Sequence, residues 1–278
     1  MSPPRACVIG WPVTHSRSPV IHGYWLRSLG IAGEYVRQAV EPQQLPAFLR
    51  GMQEAGFVGA NVTVPHKEAA FAALDRALPI AKELGSANTL WFEGTRLVGT
   101  STDAEGFLAN LDQEASGWAD RPGPAVVLGA GGAARAIVWA LRERGFGPIV
   151  VANRTIARAG ELADRFGASV KPIGWDGIGA ALSGATVLVN TTSLGMVGQP
   201  PLTIDLAPLP STALVTDIVY APLETPLLRS ARARGLAAVD GLGMLLHQAV
   251  PGFERWFGQR PSVTPELRAA VIADLAAG

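Results

Sequence analysis

The chain has 278 residues, 48% of them hydrophobic and 17% charged, so it is too long for one small core and too apolar to be disordered. Its 23 basic and 23 acidic side chains cancel, which excludes a net field that would favour nucleic acid or an anionic membrane. The single cysteine, Cys7, excludes an intrachain disulfide. We therefore expect a two-domain cytoplasmic protein that binds a small molecule at a local site, without a nucleic-acid or membrane partner.

Short Val- and Ile-rich runs alternate with segments of helical period, the pattern of an α/β protein with parallel strands and crossover helices. In the first half, strands are predicted at residues 6–9, 35–40 and 57–63, a hairpin at 89–92 and 97–100, and helices at 19–29, 42–55, from Pro65, and at 104–114. Residues 117–124 carry two glycines and two prolines, and they predict a linker or surface loop.

The second half predicts a doubly wound parallel sheet followed by helices. Its strands are expected at residues 125–128, 149–152, 186–189 and 214–217, and its helices at 133–144, 156–166, 242–256 and 265–276. We expect a substrate domain at residues 1–104, a dinucleotide domain at 105–239, and C-terminal helices at 240–278 that pack back on the first domain. Both a monomer and a homodimer fit this sequence.

A glycine-rich stretch directly follows the strand predicted at residues 125–128. It reads Gly129-Ala130-Gly131-Gly132-Ala133-Ala134 and opens a helix, which is the context required of a dinucleotide-binding G-x-G-x-x-A motif. Glycine lets the backbone amides approach a pyrophosphate, and the helix N-terminus adds partial positive charge. The motif favours a Rossmann-like domain, with a purely structural glycine turn as the alternative.

The end of the next strand indicates which dinucleotide is bound. An NAD site usually has an acidic residue there, whereas this chain has Asn153-Arg154-Thr155, with Arg158 one helical turn further on. Two guanidinium groups can hold a 2'-phosphate through charge-assisted hydrogen bonds. We therefore predict NADP rather than NAD, the alternative being that both arginines are solvated residues of a helix start.

The first domain must then supply a group that handles the proton exchanged with the hydride. No Tyr-x-x-x-Lys pair is present, and the four histidines lack metal-ligand spacing, so we expect no metal. Lys67 and Asp103 each lie where a strand passes into a helix, at the edge where open α/β sheets bind ligands. They are candidates for general acid-base catalysis; the alternatives are a surface charge and an N-cap.

Neutral polar residues near these junctions suit a hydroxylated carboxylate. Ser16 and Ser18 are candidates for binding a carboxylate, although Ser18 before Pro19 is also a good N-cap. Other side chains carry amides or a hydroxyl that can hydrogen-bond the hydroxyl groups of a polyol. They are Asn61, Thr63, Asn88 and Gln248.

Taken together, these stretches resemble the shikimate dehydrogenase family in order and spacing, over nearly the whole chain. The two dinucleotide motifs carry part of this resemblance. The other stretches that carry it are residues 10–19, 61–67, 85–89, 101–103, 190–196, 217–220 and 241–248. The chain departs from the family pattern at Ser101 and Gly23, where the family usually has asparagine.

The resemblance implies reversible reduction of 3-dehydroshikimate to shikimate by NADPH, in the pathway to aromatic amino acids. It implies that Lys67 and Asp103 are the catalytic pair. By the same resemblance, Tyr220 would bind the carboxylate with the two serines, and Thr191, Gly241 and Met244 would lie on the cofactor side. The alternatives are a quinate or aminoshikimate dehydrogenase on the same scaffold, and a non-catalytic NADP-binding sensor.

Overall fold

The structure, a computed structural model, describes residues 3–277, which pack into two compact units. The first unit runs to Asp103 and resumes at Leu246, and the second is Ala104–Leu245. The C-terminal segment thus belongs to the first unit. The second boundary, predicted at residue 239, lies a few residues later, inside a helix.

A mixed six-stranded sheet forms the first unit. Its strands are β1 (Arg5–Gly10), β2 (Glu34–Ala39), β3 (Phe57–Val62), β4 (Arg76–Ala77), β5 (Thr89–Glu93) and β6 (Arg96–Thr100). Their order is β2-β1-β3-β5-β6-β4. β1 is parallel to β2 and β3, whereas β5 is antiparallel to β3 and β6. The predicted hairpin reverses the chain between β5 and β6.

The helices of the first unit come from both ends of the chain. They are α1 (Ser18–Ser28), α2 (Leu45–Gly51), α3 (Lys67–Ala72), α4 (Pro79–Leu84), α11 (Val250–Phe257) and α12 (Pro265–Ala277). The helix predicted from Pro65 begins at Lys67, and the helix predicted at 42–55 ends at Gly51, since residues 52–56 form turns that finish at Gly56 with a φ of 84°. The strand β4 and the helix α4 were not predicted.

Both faces of the first sheet are buried. Along β1, Ala6 and Val8 face one layer while Cys7 and Ile9 face the other, as the alternation of a strand requires. One layer contains Met52 and the other contains Trp256. Burial on both sides explains why β1 is a continuous apolar run.

The second unit is a six-stranded parallel sheet of order β12-β11-β10-β7-β8-β9. Its strands are β7 (Ala125–Leu128), β8 (Ile149–Ala152), β9 (Val170–Ile173), β10 (Val187–Asn190), β11 (Leu214–Asp217) and β12 (Ala237–Val239). Its helices are α5 (Asp103–Glu114), α6 (Gly132–Glu143), α7 (Ile156–Phe166), α8 (Ile178–Leu182), α9 (Pro226–Ala233) and α10 (Leu242–His247), the first and last of which reach into the other unit's residues. The doubly wound sheet was predicted, and the fold class is confirmed.

The two edge strands, β9 and β12, and the helices α8 and α9 were not predicted. β9 carries Lys171 and Pro172, which weaken a strand pattern and are tolerated at a sheet edge. The helix predicted at 242–256 is two helices, α10 and α11, because Pro251 has no N–H and can occupy only the first turn of a new helix. Among the described residues, no helix is both long and apolar enough to span a bilayer.

Candidate active site

Lys67 and Asp103 are in direct contact. Lys67 is the first residue of α3 and Asp103 the first of α5, which follow β3 and β6 of the same sheet. The ammonium Nζ of Lys67 donates to Oδ2 of Asp103. Their side chains are 23% and 10% exposed, so this ion pair is partly buried and still open to a ligand. The fold thus joins an ammonium group and a carboxylate that are distant in sequence.

Asn88 fixes the second oxygen of the Asp103 carboxylate. Its Nδ2 donates to Asp103 Oδ1 at 2.9 Å and to Gln248 Oε1 at 3.3 Å. The backbone N–H of Thr102 donates to Asn88 Oδ1 at 2.8 Å, which determines how the amide is oriented. Thr102 also donates its hydroxyl to the backbone oxygen of Gln248 at 2.8 Å. Four predicted site residues, Lys67, Asn88, Asp103 and Gln248, therefore form one polar cluster in the first unit.

Asn61 joins this cluster from β3. Its Nδ2 donates to the backbone oxygen of Asn88 at 3.2 Å and to the hydroxyl of Thr89 at 3.3 Å. Thr63, two residues later, makes no side-chain hydrogen bond within residues 3–277, so its hydroxyl is available to a ligand. Neither Thr89 nor Thr102 was predicted to have a role, although both lie inside stretches that carry the resemblance.

Ser16 and Ser18 face each other at the start of α1. The Ser16 hydroxyl donates to that of Ser18 at 3.2 Å, and the Ser18 N–H donates to Ser16 Oγ at 3.3 Å. Arg17 holds the N-cap position and α1 has no side-chain cap, so the alternative interpretation of Ser18 as an N-cap is wrong. The two hydroxyls are therefore not used to cap the helix.

Two arginines hold the loop that carries these serines. Arg37 of β2 donates two hydrogen bonds to the backbone oxygen of Ser16, at 2.7 and 3.1 Å. Arg17 forms an ion pair with Asp274 of α12 at 2.8 Å. The serine pair is thus tied both to the sheet and to the C-terminal helix.

In the second unit, the glycine motif forms a tight turn between β7 and α6. Gly129 has a φ of 98°, and Gly131 precedes α6 in an extended conformation with no side-chain cap. A Cβ at Gly131 or Gly132 would meet open space, so the turn has room for a ligand. The hydroxyl of Thr191 donates to the backbone oxygen of Leu128 at 2.7 Å and supports this turn.

The predicted phosphate-binding residues follow β8. Arg154 and Arg158 are exposed, and neither has an acidic partner within the described residues. Asn153 donates its Nδ2 to the backbone oxygen of Thr155, just before α7 begins. Two unpaired guanidinium groups beside a glycine turn suit the 2'-phosphate and pyrophosphate of NADP, and the residues present fit that cofactor.

A buried carboxylate, Asp217, connects the loops after β10 and β11. It accepts hydrogen bonds from Asn190 Nδ2 at 2.9 Å, from the Thr225 hydroxyl at 2.7 Å and from the Val219 N–H at 3.0 Å. Burial raises the pKa of Asp217. Asp217 lies in one of the stretches that carry the family resemblance but was not predicted to have a role. Its hydrogen bonds fix the loop that leads to Tyr220.

The remaining predicted residues, Tyr220, Gly241 and Met244, also belong to the second unit. A Cβ at Gly241 would lie 2.2 Å from the backbone oxygen of Ile218, so only glycine fits against that loop. Met244 is buried.

Family models match three stretches of the chain. Residues 8–90 match the shikimate dehydrogenase substrate binding domain, residues 120–197 match shikimate / quinate 5-dehydrogenase, and residues 241–271 match the shikimate 5'-dehydrogenase C-terminal domain. These matches cover parts of both units.

Whole-chain relatives agree with these matches. A shikimate dehydrogenase (NADP(+)) of Azorhizobium caulinodans is 59% identical over 98% of this chain and 97% of its own. Shikimate 5-dehydrogenase of Thermus thermophilus, crystallised with NADP(H) and shikimate, is 38% identical with a TM-score of 0.85, covering 99% of each chain. Quinate dehydrogenase of Corynebacterium glutamicum in complex with NAD is 30% identical with a TM-score of 0.90, covering 98% of this chain and 100% of that one. The chain belongs to the shikimate dehydrogenase family.

Proposed function

We propose that this chain catalyses the reversible, NADPH-dependent reduction of 3-dehydroshikimate to shikimate, with Lys67 and Asp103 handling the proton. The observation that carries the assignment of these residues is the contact between Lys67 Nζ and Asp103 Oδ2, in a partly buried cluster of amides and hydroxyls. A sensor that only bound NADP would not need such a pair.

The proton is required because addition of hydride to the ring carbonyl carbon leaves negative charge on the oxygen. NADPH, when bound, supplies that hydride. Lys67 gives a proton from its ammonium to the developing alkoxide, and in the reverse direction the neutral amine takes the proton of the hydroxyl. Asp103, held by Asn88, keeps the Lys67 side chain in position. Help of this kind accelerates a reaction by about 10²- to 10⁴-fold.

Neutral groups hold the carboxylate of the substrate. Ser16 and Ser18 donate to its carboxylate, with the Arg37 guanidinium on the backbone oxygen of Ser16, and we assign Tyr220 to the same carboxylate. The residues assigned to the ring hydroxyls are Asn61, Thr63, Asn88, Asp103 and Gln248.

We assign the cofactor to the second unit. The residues that would hold its pyrophosphate through their backbone are Gly129, Ala130, Gly131, Gly132 and Ala133. The first turn of α6 has no acidic residue that would repel the pyrophosphate. Arg154 and Arg158 bind its 2'-phosphate. The residues assigned to the rest of the cofactor are Asn153, Thr155, Thr191, Gly241 and Met244.

The test is the rate at which the purified protein forms NADPH from NADP and shikimate. We expect Lys67→Ala to lower kcat by about 10²- to 10⁴-fold, because the alkoxide loses its proton donor. Calorimetry should show shikimate affinity within about threefold of the unmodified protein, a change of under about 1 kcal/mol.

The matched control is Lys82→Ala, which removes an exposed lysine of α4 in the same unit and should leave kcat unchanged. Near-normal turnover by Lys67→Ala would contradict the role of Lys67. Quinate is assayed in parallel. We expect the higher kcat/KM with shikimate, because quinate carries an extra hydroxyl beside the carboxylate that Ser16 and Ser18 bind.

We propose that the protein acts in the cytoplasm, which is supported by a lone, buried cysteine that needs no oxidising compartment. Its proposed oligomeric state is a monomer or a homodimer. Analytical ultracentrifugation of the purified protein distinguishes the two.

A further inference from the structure

Tyr35 of β2 is a polar residue that the proposed chemistry does not use. Its side chain is nearly buried, and its hydroxyl donates to Asn61 Oδ1 at 2.6 Å. Asn61 is one of the residues assigned to the ring hydroxyls of the substrate. A buried phenol usually pairs its hydroxyl, and here the partner is a proposed substrate ligand.

The direction of this hydrogen bond follows from the other contacts of Asn61. The backbone oxygen of Asn88 can only accept, so the Asn61 group that faces it at 3.2 Å must be the amide nitrogen. Oδ1 of Asn61 then faces Tyr35, whose hydroxyl must donate. Burial raises the pKa of Tyr35 well above its usual value, which keeps that hydroxyl protonated.

Packing fixes the phenol ring in place. His22 of α1 stacks on it with ring centroids 3.9 Å apart and planes inclined by 10°, and Trp256 lies against it at 5.9 Å. Tyr35 of β2 is paired with Ala6 of β1, and Ala6 is also paired with Gly59 of β3. Because these two neighbours are small, the ring can reach across β1 to Asn61.

Both N–H groups of Asn61 are occupied, one by the Asn88 backbone oxygen and one by the Thr89 hydroxyl. Only Oδ1, which accepts from Tyr35 and lies beside the His22 ring, is left to face a ligand. Asn61 can therefore offer a ligand only an acceptor.

We infer that Tyr35 is a positioning residue that locks the Asn61 amide, so that Asn61 accepts a hydrogen bond from a substrate hydroxyl that is not oxidised in the reaction. The inference rests on the proposed function and deepens it. A group that became a carbonyl would have no proton to donate, and its bond to Asn61 would be lost. Asn61 thus recognises a hydroxyl that is the same in substrate and product.

The test is Tyr35→Phe, which keeps the ring on His22 and removes the hydroxyl, which donates to Asn61 and also contacts the Ser18 side chain. We expect KM for shikimate to rise about five- to tenfold, the loss typical of one neutral hydrogen bond, with KM for NADP unchanged. Tyr24→Phe is the matched control, since the Tyr24 hydroxyl of α1 has no hydrogen-bond partner within residues 3–277. It should leave both constants unchanged.

A double-mutant cycle then separates action through Asn61 from a general loss of packing. Asn61→Ala and Asn61→Ser are both used as backgrounds, so that a failure of one to fold leaves the other. In either background, Tyr35→Phe should have no further effect on KM for shikimate. If it raised KM by the same factor as in the unmodified protein, Tyr35 would not act through Asn61 and the inference would be overturned.

The remaining outcomes distinguish the inference from the proposed function. An unchanged KM in Tyr35→Phe, together with a raised KM in the Asn61 variants, would overturn the inference and leave the function standing. An unchanged KM in the Asn61 variants would remove Asn61 from the substrate site, and both the assignment and the inference would fall.

Discussion

The imidazole of His22 is fully enclosed among aromatic rings of the first unit. Besides Tyr35, it packs against Trp25, Phe253 and Trp256, and it lies beside the Asn61 side chain. Burial lowers the pKa of His22 to about 3. The residue therefore acts as a neutral flat ring that supports Tyr35, and not as a proton carrier.

The lowered pKa has a consequence for stability. Below about pH 6.5 His22 is protonated in the unfolded chain but stays neutral in the folded chain. Protonation therefore favours the unfolded state, and stability is lost as pH falls towards 3. We expect His22→Phe to keep the stacking. Between about pH 7 and about pH 5, its free energy of unfolding should fall by about 2 kcal/mol less than that of the unmodified protein. Urea denaturation of both proteins at the two pH values measures it.

The exposed His15 supplies the control for this prediction. His15→Phe should retain the pH dependence of the unmodified protein. An equal loss of stability on acidification in His22→Phe and the unmodified protein would show that His22 is protonated in the folded state.

At the scale of elements, the turn between β8 and α7 decides which side chains remain free. α7 buries Ala159, Leu162 and Phe166, which recur on one face of the helix. Arg158 lies on the exposed face, and Arg154 precedes the helix. The amphipathic pattern of α7 thus leaves Arg158 exposed, and the turn before α7 leaves Arg154 exposed. Both lie at the edge where a doubly wound sheet binds its ligand.

Replacing these arginines should separate the two nicotinamide cofactors. We expect Arg154→Ser with Arg158→Ser to raise KM for NADPH at least about tenfold, because charge-assisted hydrogen bonds to the 2'-phosphate are lost. KM for NADH, which lacks that phosphate, should change little. Steady-state kinetics with both cofactors makes the measurement.

Arg121→Ser serves as the control, since it removes one exposed charge from the same unit outside the turn. It should leave the preference for NADPH as it is. Equal increases of both KM values in the double variant would reject the role of the two arginines in phosphate binding.

At the scale of the whole molecule, the C-terminal segment from Leu246 packs into the first unit, together with the N-terminal part of the chain. Trp256 of α11 donates its Nε1 to the backbone oxygen of Leu90 at 2.9 Å, a contact between residues 166 positions apart. Gly59 makes the approach possible: a Cβ there would lie 2.1 Å from Trp256 Nε1 and 2.3 Å from the Leu90 oxygen. The same C-terminal segment brings Gln248 to Asn88.

We therefore expect Gly59→Ala to lower the free energy of unfolding by about 2–4 kcal/mol, through overpacking and loss of the tryptophan hydrogen bond. Chemical denaturation followed by tryptophan fluorescence measures the change.

Gly51→Ala is the matched control, because a Cβ at the end of α2 meets nothing within 4 Å. Its effect should stay within about 1 kcal/mol. If Gly59→Ala were as stable as this control, the close packing of α11 on the sheet would be wrong.

Local sequence signals predicted most of the fold. The buried strands β1, β3 and β7, the hairpin of β5 and β6, and the glycine turn before α6 each depend on residues within a short stretch, where periodicity and turn chemistry suffice. The break at Pro251 and the edge strands β9 and β12 were missed, because short or polar elements exist only through pairing with a neighbour.

For the candidate site, the sequence by itself determined which side chains stand at strand ends, and so selected Lys67, Asp103 and the arginines after β8. Only the tertiary structure decided their partners. The bonds from Tyr35 to Asn61 and from Asn88 to Gln248 join residues 26 and 160 positions apart. Such contacts depend on strand order, register and the return of the C-terminal helices, which are set by packing of the whole unit and leave no periodic pattern in any one segment.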